Sequence, residues 1–242
     1  MEHLNETDFY FIYEDEKFNE EKERINIERQ VQAQNGLIFI IYSFSTEIEE
    51  IIKFGLNAIL EKYEKSALSN TVYNVLFESI LNGVKANAKK LFFLENSLNI
   101  DNPDDYAKGI LLFKKNINKS NLRQSGVRNK EKNIYVRVKF SYGADGLEIE
   151  VLNNTELLPA EEARIREKLA LGEKYDDLMS YYMDNSDSTE GEGLGLVLSL
   201  ILLKAENLDP SLFRIGTKNG LTFARIEIPF SNKFVSKRNN IL

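Results

Sequence analysis

The sequence predicts an α+β fold: a two-layer α/β sandwich with a mixed, mostly antiparallel sheet and helices on one face. Two segments, "IYVRVKFSYGADGLEIEVL" and "LFRIGTKNGLTFARIEIPF", alternate apolar and polar residues on both sides of a glycine-containing turn, as β-hairpins do. Other stretches have the apolar spacing of three to four residues that is typical of helices. Hairpins combined with such helices favour two layers over a parallel, doubly wound sheet.

The first part of the chain predicts helices around one strand. Residues 14–34 are rich in helix formers but lack a sustained heptad, so we expect either a solvated helix or a partly ordered arm. After the breaker "NG", the run "LIFIIYSFS" predicts a strand and "TEIEEIIKFGLNAILEKYEKS" a helix with a threonine at its cap. A further helix, "NTVYNVLFESILNGVKANAKK", is expected to lead into a strand at 91–93.

The second part contains an insertion, the two hairpins and one apolar helix. Turn-rich and polar residues predict a loop insertion at about 95–133. Residues 159–190 are polar and compatible with helix, the run from Leu194 predicts a buried helix, and Pro229 marks the end of the second hairpin. The expected organisation is an acidic N-terminal arm or helix at 1–35, a core domain at 36–231 and a basic C-terminal tail at 232–242.

Charge and composition exclude several classes of function. Of the net charge of −7, residues 1–30 supply −6, with ten acidic and four basic side chains, and the remainder has no long basic stripe, so we expect no nucleic-acid partner. The apolar runs are too short to span a membrane and the start lacks a signal peptide, so we expect a cytoplasmic protein without membrane insertion. Without cysteine, and with His3 as the single histidine, thiol and histidine catalysis are not expected.

Three alternate glycines, Gly191, Gly193 and Gly195, precede the apolar helix in "TEGEGLGLVLSLILL". The segment is not a Walker A loop, because Leu196 and Val197 stand where lysine and serine or threonine are needed. It does not have the glycine spacing of a dinucleotide fingerprint either. Glycines at a helix N-terminus allow backbone amides to approach an anion such as phosphate. The alternative is a loop whose glycines only let an apolar helix pack closely.

A polar stripe runs along the predicted helix "NVLFESILNGVKANAKK". Its members recur at spacings of four, four, three and four residues and therefore share one helical face: Asn74, Glu78, Asn82, Lys85 and Lys89. The opposite side is apolar, so the stripe is either the solvated face of an amphipathic helix or a site. A carboxylate, an amide oxygen and an ammonium group on one face are the groups that a Mg-nucleotide needs.

Together, "ESILNGVKAN" and "GEGLGL" resemble the two nucleotide-binding motifs of the GHKL ATPase superfamily, which includes sensor histidine kinases and type II topoisomerases. The resemblance extends from about residue 37 to residue 230 and implies the Bergerat-type ATP-binding fold. It implies that Asn82 coordinates Mg and that Lys85 contacts phosphate. Glu78 falls where the hydrolytic members of the superfamily keep their general base.

The resemblance also assigns the lid and the adenine pocket. It implies an ATP lid at about 159–193 that ends in a glycine box made of Gly191, Gly193, Leu194 and Gly195. The segment "NGLTFARIEIP" resembles the closing hairpin of the family and implies that Thr222 lies near the adenine.

The first glycine box of the family is altered in this chain. The corresponding text is "IEVLNNTELLP", in which Asn153 replaces the aspartate that accepts a hydrogen bond from the adenine amino group. Thr155 and Leu157 replace the glycines and either narrow the pocket or change the path of the turn. The amide oxygen of Asn153 can still accept the bond. A neutral acceptor forms a bond that is weaker by about 1 kcal/mol than a charged one, which corresponds to a tenfold or smaller loss of affinity.

The resemblance implies a stand-alone histidine-kinase-like module that binds ATP and Mg. We expect it to transfer the γ-phosphoryl group to a protein partner, a response regulator or another regulatory protein, because the chain has no histidine placed for autophosphorylation in cis. Two alternatives stay open: a slow ATPase that drives a conformational cycle, and a non-catalytic module that binds a partner. The acidic arm either mediates homodimerisation, shields a basic partner or is only solvated.

Overall fold

The computed structural model describes residues 8–13, 18–116, 126–184 and 194–240, and the side chains of 239 and 240 are not described. Six strands form one sheet: β1 (Asp8–Tyr13), β2 (Gly36–Ile41), β3 (Val136–Gly143), β4 (Gly146–Asn153), β5 (Phe213–Lys218) and β6 (Leu221–Pro229). The described helices are α1 (Glu20–Gln32), α2 (Thr46–Lys62), α3 (Ser69–Glu95), α4 (Pro103–Asn116), α5 (Gly126–Glu131), α6 (Pro159–Lys174), α7 (Leu178–Asp184) and α8 (Leu194–Ala205). No described helix has the length and apolar character needed to cross a membrane.

The sheet is mixed and mostly antiparallel, as the sequence predicts. Its strand order is β1-β2-β3-β4-β6-β5, and β1 with β2 is the one parallel pair among the described strands. Both predicted hairpins, β3-β4 and β5-β6, are confirmed. In the second hairpin, Asn219 and Gly220 have φ of 54° and 74°, the left-handed values that a tight hairpin turn requires.

One face of the sheet forms the main core with α1, α2, α3 and α8. Because side chains alternate along a strand, Val136, Val138 and Phe140 of β3 point to this face together with their neighbours on β4, β6 and β2. Helix α2 lies closely on β2, since a Cβ atom on Gly55 would lie 3.3 Å from the Phe39 ring. Helices on one side of a single sheet make the two-layer α/β sandwich that was expected.

The opposite face of the sheet carries paired charges. Lys139 pairs with Asp8 at 2.6 Å, and Glu150 accepts from Arg137 at 3.0 Å and from Arg225 at 3.1 Å. The basic C-terminal segment folds back onto this face, where the Lys237 Nζ atom lies 2.6 Å from a carboxylate oxygen of Glu148. The predicted tail is therefore in contact with the sheet up to this residue.

The N-terminal segment contains the expected helix, but one side of that helix is buried and a strand precedes it. Strand β1 is an edge strand of the sheet, with Phe11 and Tyr13 buried. Helix α1 buries Ile27 and Val31 in the main core and exposes its acidic side. The two buried positions are one helical turn apart, too few to form a heptad but enough to attach one face of a helix.

The predicted strand at 91–93 is wrong, because helix α3 continues through it to Glu95. Leu91 and Phe93 are buried on the helix, and a Cβ atom on Gly109 of α4 would overlap the Phe93 ring. The segment 95–133, expected to be a loop, contains α4 and α5. Packing of the helix thus explains the apolar run. Periodicity alone cannot show whether a run this short is helix or strand.

Candidate functional site

Two residues of the predicted stripe on α3 are in contact. The amide nitrogen Nδ2 of Asn82 donates to the Oε1 atom of Glu78 at 3.2 Å. Both side chains are partly buried, while Val75, Leu76 and Ile80 of the same helix are buried in the main core. The apolar side of α3 thus fixes the helix on the sheet, and the Glu78–Asn82 pair lies away from it.

The glycine segment meets this pair at Gly195, the second residue of α8. A Cβ atom on Gly195 would overlap all three heavy atoms of the Glu78 carboxyl group. A side chain at this position would therefore displace Glu78 or α8. The stripe on α3 and the last glycine of the segment, which are far apart in sequence, are brought together in the structure.

The Asn153 position lies beneath the same stretch of α3. Gly83, next to Asn82 in the chain, packs on the strands: a Cβ atom there would lie 3.2 Å from Val136 and 3.5 Å from the Cβ atom of Asn153. Thr222 on β6 is the direct cross-strand partner of Asn153 on β4. The residues to which the resemblance assigns metal and adenine thus lie on adjacent parts of α3, β4 and β6.

A chain of buried polar groups surrounds Asn153. Its Nδ2 atom donates to the hydroxyl of Thr155, and that hydroxyl donates to Oδ1 of Asn87 on α3 at 3.4 Å. The Thr222 hydroxyl donates to the backbone carbonyl of Thr155 at 2.7 Å. Asn87, Asn153 and Thr155 are each at most 6% exposed. Buried polar groups need such partners, so this chain of bonds holds the Asn153 amide in one orientation.

The orientation leaves the carbonyl of Asn153 available. With Nδ2 directed to Thr155, the Oδ1 atom accepts no hydrogen bond from the residues that the structure describes. An oxygen in this position can accept a bond from an exocyclic amine, as the resemblance implies for adenine. An oriented amide thus stands where the resemblance implies a carboxylate.

Thr155 and Asn87 are the functional candidates that sequence reasoning missed. Thr155 was expected to narrow the pocket or redirect the turn, whereas its hydroxyl and carbonyl both take part in the polar chain. Asn87 lies one helical turn after Gly83, on the side of α3 that faces the sheet. Asparagine is a poor helix former, so its recurrence at 74, 82 and 87 was the available signal.

The remaining members of the stripe do not all join the site. Lys89 forms an ion pair with Glu161 at the start of α6, with both side chains largely buried. The pKa of Tyr106, near this pair, is raised mainly by burial and secondly by the negative charge of Glu161. Lys85 is exposed and makes no ion pair with any residue in the described ranges, and Asn74 is exposed.

The described part of the expected lid, residues 159–184, contains α6 and α7, and α6 packs on α8. Gly172 of α6 allows a close approach, since a Cβ atom there would lie 3.2 Å from the Cα atom of Val197. Leu194 is partly buried against the small cluster of Tyr181, Val197 and Ile201. Gly191 and Gly193 lie outside the described residues, so the glycine box is represented by Leu194 and Gly195.

The side chains present are compatible with Mg²⁺ bound alongside phosphate. Within the described part of the chain, no cluster of three or more His, Cys, Asp or Glu could hold a metal ion alone. Mg²⁺ usually takes one or two protein oxygens and completes its octahedron with water and substrate phosphates. The carbonyl of Asn82 accepts no hydrogen bond from the residues that the structure describes and lies beside the carboxylate of Glu78, and both groups are oxygens of this kind.

Comparisons with known proteins give one distant relative. A protein of Treponema pallidum (strain Nichols), described as uncharacterized, is 26% identical over 203 residues, which is 84% of this chain and 39% of the relative. The chain therefore spans well under half of that protein. No family model matches the chain, and no solved structure is significantly similar.

Proposed function

We propose that this chain is a GHKL-type module that binds Mg-ATP and transfers the γ-phosphoryl group to a partner protein. The observation that carries the proposal is the contact between Gly195 and the Glu78 carboxylate. It places the start of α8, the helix that follows the glycines, next to the Glu78 carboxylate and the Asn82 amide on α3. A helix N-terminus that faces oxygen ligands is suited to a metal-bound phosphate chain.

The polar chain beneath α3 supports a purine base as the second part of the ligand. Asn153 offers a carbonyl acceptor fixed by Thr155, and Thr222 lies opposite it across β4 and β6. Asn153 lies close to Gly83, which follows Asn82 in the chain. A nucleotide with its base at Asn153 and its phosphates near Asn82 fits this order of groups.

Each residue of the site has a separate role in this proposal. Bound Mg²⁺ neutralises charge on the phosphates and so promotes phosphoryl transfer. Asn82 supplies an oxygen ligand, Gly195 leaves room for Glu78, and Glu78 orients or deprotonates the acceptor group. Lys85, exposed and flexible, reaches phosphate as a point charge. Phosphoryl transfer depends mainly on such positioning and electrostatics.

A non-catalytic binding module is the second candidate, and the same polar chain favours it. Asn153, Thr155 and Asn87 satisfy one another without a ligand. Satisfied buried polar groups stabilise a fold by themselves, so this pocket does not need a base to be complete. In that case the domain would bind its partner without nucleotide chemistry.

A labelling experiment separates these functions. The chain is incubated with ATP labelled at the γ-phosphate in a soluble protein extract, and label on protein and in free phosphate is followed for wild type, Glu78→Gln and Asn82→Ala. Transfer predicts label on a protein with the wild type that both substitutions reduce at least about a hundredfold. Free phosphate without labelled protein indicates a slow ATPase. Absence of both with the wild type contradicts catalysis.

A further inference from the structure

Helix α7 is firmly attached to the domain on one side. Tyr181 is 6% exposed and packs with Val197 and Ile201 of α8. It also makes an edge-on contact with the ring of Tyr175, with centroids 5.4 Å apart. Side-chain packing therefore determines which face of α7 is turned outward.

The outward face of α7 is apolar as well. Met179, Tyr182 and Met183 are 65%, 47% and 72% exposed and lie at positions i, i+3 and i+4, so they form one continuous surface. A surface helix normally has a polar outer face, whereas on α7 the polar exposed residues are limited to Ser180 and Asp184. Exposed methionines are typical of surfaces that adapt to an apolar partner. We call Met179, Tyr182 and Met183 the methionine face.

The chain segment that carries the methionine face is acidic, and we call its carboxylates the acidic rim. Residues 173–184 carry four acidic side chains and one basic one. Asp176 is 90% exposed in its side chain although it lies 3.2 Å from Lys204. Hydrogen bonds from Ser180 lower the pKa of the Asp177 carboxyl group, which is therefore charged at neutral pH. An apolar centre with a negative rim is complementary to a helix that has one apolar and one basic face.

We propose that the methionine face docks a basic amphipathic helix of a partner protein. The apolar face of that helix covers Met179, Tyr182 and Met183, and its lysine or arginine side chains meet the acidic rim. The surface shares α8 with the candidate site, because Tyr181 holds α7 on α8 and Gly195 of α8 contacts Glu78. Docking itself does not require nucleotide, so this inference is independent of the proposed function.

The test uses a fluorescent model peptide of leucine and lysine with a single apolar helical face. Its binding to the full chain is measured by fluorescence anisotropy without nucleotide, at low and high salt. Two control peptides have either the same composition in scrambled order or glutamate in place of lysine. We expect saturable binding of the first peptide that weakens with salt, and much weaker binding of both controls.

A double variant, Met179→Ser with Met183→Ser, connects the binding to this surface. It should weaken binding about tenfold or more, because anchors of this kind contribute most of the affinity. The matched control is Leu111→Ser with Val127→Ser, two residues that are equally exposed at 64% on other helices. The control variant should bind as the wild type does. In hydrogen exchange, the peptide should protect residues 178–184 and leave 103–116 unchanged.

Several results would overturn the inference. One is equal binding of the scrambled or glutamate peptide, and another is unchanged binding by the double variant. Protection of 103–116 in place of 178–184 would also do so. If the free chain is a dimer that the double variant dissociates, the methionine face is covered by a second copy and the proposed partner is wrong. The variants replace exposed residues, so an unchanged urea midpoint is the check that they fold.

Discussion

Gly195 is the residue at which the two halves of the candidate site meet. The carboxylate of Glu78 occupies the space that a side chain at 195 would need. A side chain here is accommodated only if the Glu78 carboxylate moves, whatever ligand the site holds. This condition differs from the requirement at Gly220, where the positive φ of the hairpin turn selects glycine.

Gly195→Ala should consequently disturb the site more than the packing. The atoms that a Cβ would meet are the end of the flexible Glu78 side chain, so we expect Glu78 to rotate away from Asn82 while the free energy of unfolding changes by no more than about 1 kcal/mol. The measurements are urea unfolding and the transfer of label from ATP, which should fall at least about tenfold. Gly143→Ala is the matched control, because a Cβ atom on Gly143 has no neighbour within 4 Å. Equal transfer by the two variants would contradict a role for the position of Glu78.

Thr155→Val tests the buried polar chain with little change in volume. Valine removes the hydroxyl that Asn153 and Asn87 both contact, so two buried amides lose a partner. The expected destabilisation is about 1–3 kcal/mol. Thr217→Val, at an exposed strand position, should change stability by no more than about 0.5 kcal/mol. If urea unfolding gives equal values for the two variants, the polar chain does not hold Asn153.

At the scale of elements, the sequence predicted what periodicity and turn residues determine. The two hairpins and the strand-helix pair β2-α2 follow from alternation, glycine turns and caps, although the cap of α2 is Ser45 in place of Thr46. The run at 91–93 was assigned to a strand because short apolar runs occur in both helices and strands. Packing against Gly109, which periodicity does not reveal, decides in favour of helix.

In the candidate site too, local pattern predicts some contacts and tertiary packing determines the others. Glu78 and Asn82 share a helical face by spacing alone, so their contact was predictable. The roles of Thr155 and Asn87 depend on the path of the chain after β4 and on its contact with α3, which are tertiary features. Lys89 was assigned to the polar stripe, but its neighbour is Glu161 on α6, a contact that no local pattern contains.

The Lys89–Glu161 pair links α3 to α6 and should be energetically coupled. A double-mutant cycle with Lys89→Met and Glu161→Gln should give a coupling energy above about 1 kcal/mol, because both side chains are largely buried. The exposed pair Arg166–Glu162 on α6 is the control, with an expected coupling of about 0.5 kcal/mol or less. Equal coupling in the two cycles would mean that the ion pair does not hold α6 on α3.

At the scale of the whole molecule, one face of the sheet carries the helices and the site, and the other carries paired charges. The N-terminal segment, although acidic, contributes β1 and α1 to this architecture and buries Phe11, Tyr13, Ile27 and Val31. The candidate site lies where α3, α8, β4 and β6 approach one another. Two helices and two strands from distant parts of the sequence thus converge on a small set of polar groups.

Calorimetric titration of the purified chain with Mg-ATP, with Asn82→Ala as the paired variant, tests the nucleotide site most directly. We expect saturable binding by the wild type and a loss of at least about tenfold in affinity for the variant, because the variant lacks the proposed oxygen ligand of the metal. The variant should keep the unfolding midpoint of the wild type, since Asn82 is only partly buried. No heat of binding at millimolar Mg-ATP, or equal binding by the variant, would contradict a nucleotide site at Glu78, Asn82 and Gly195.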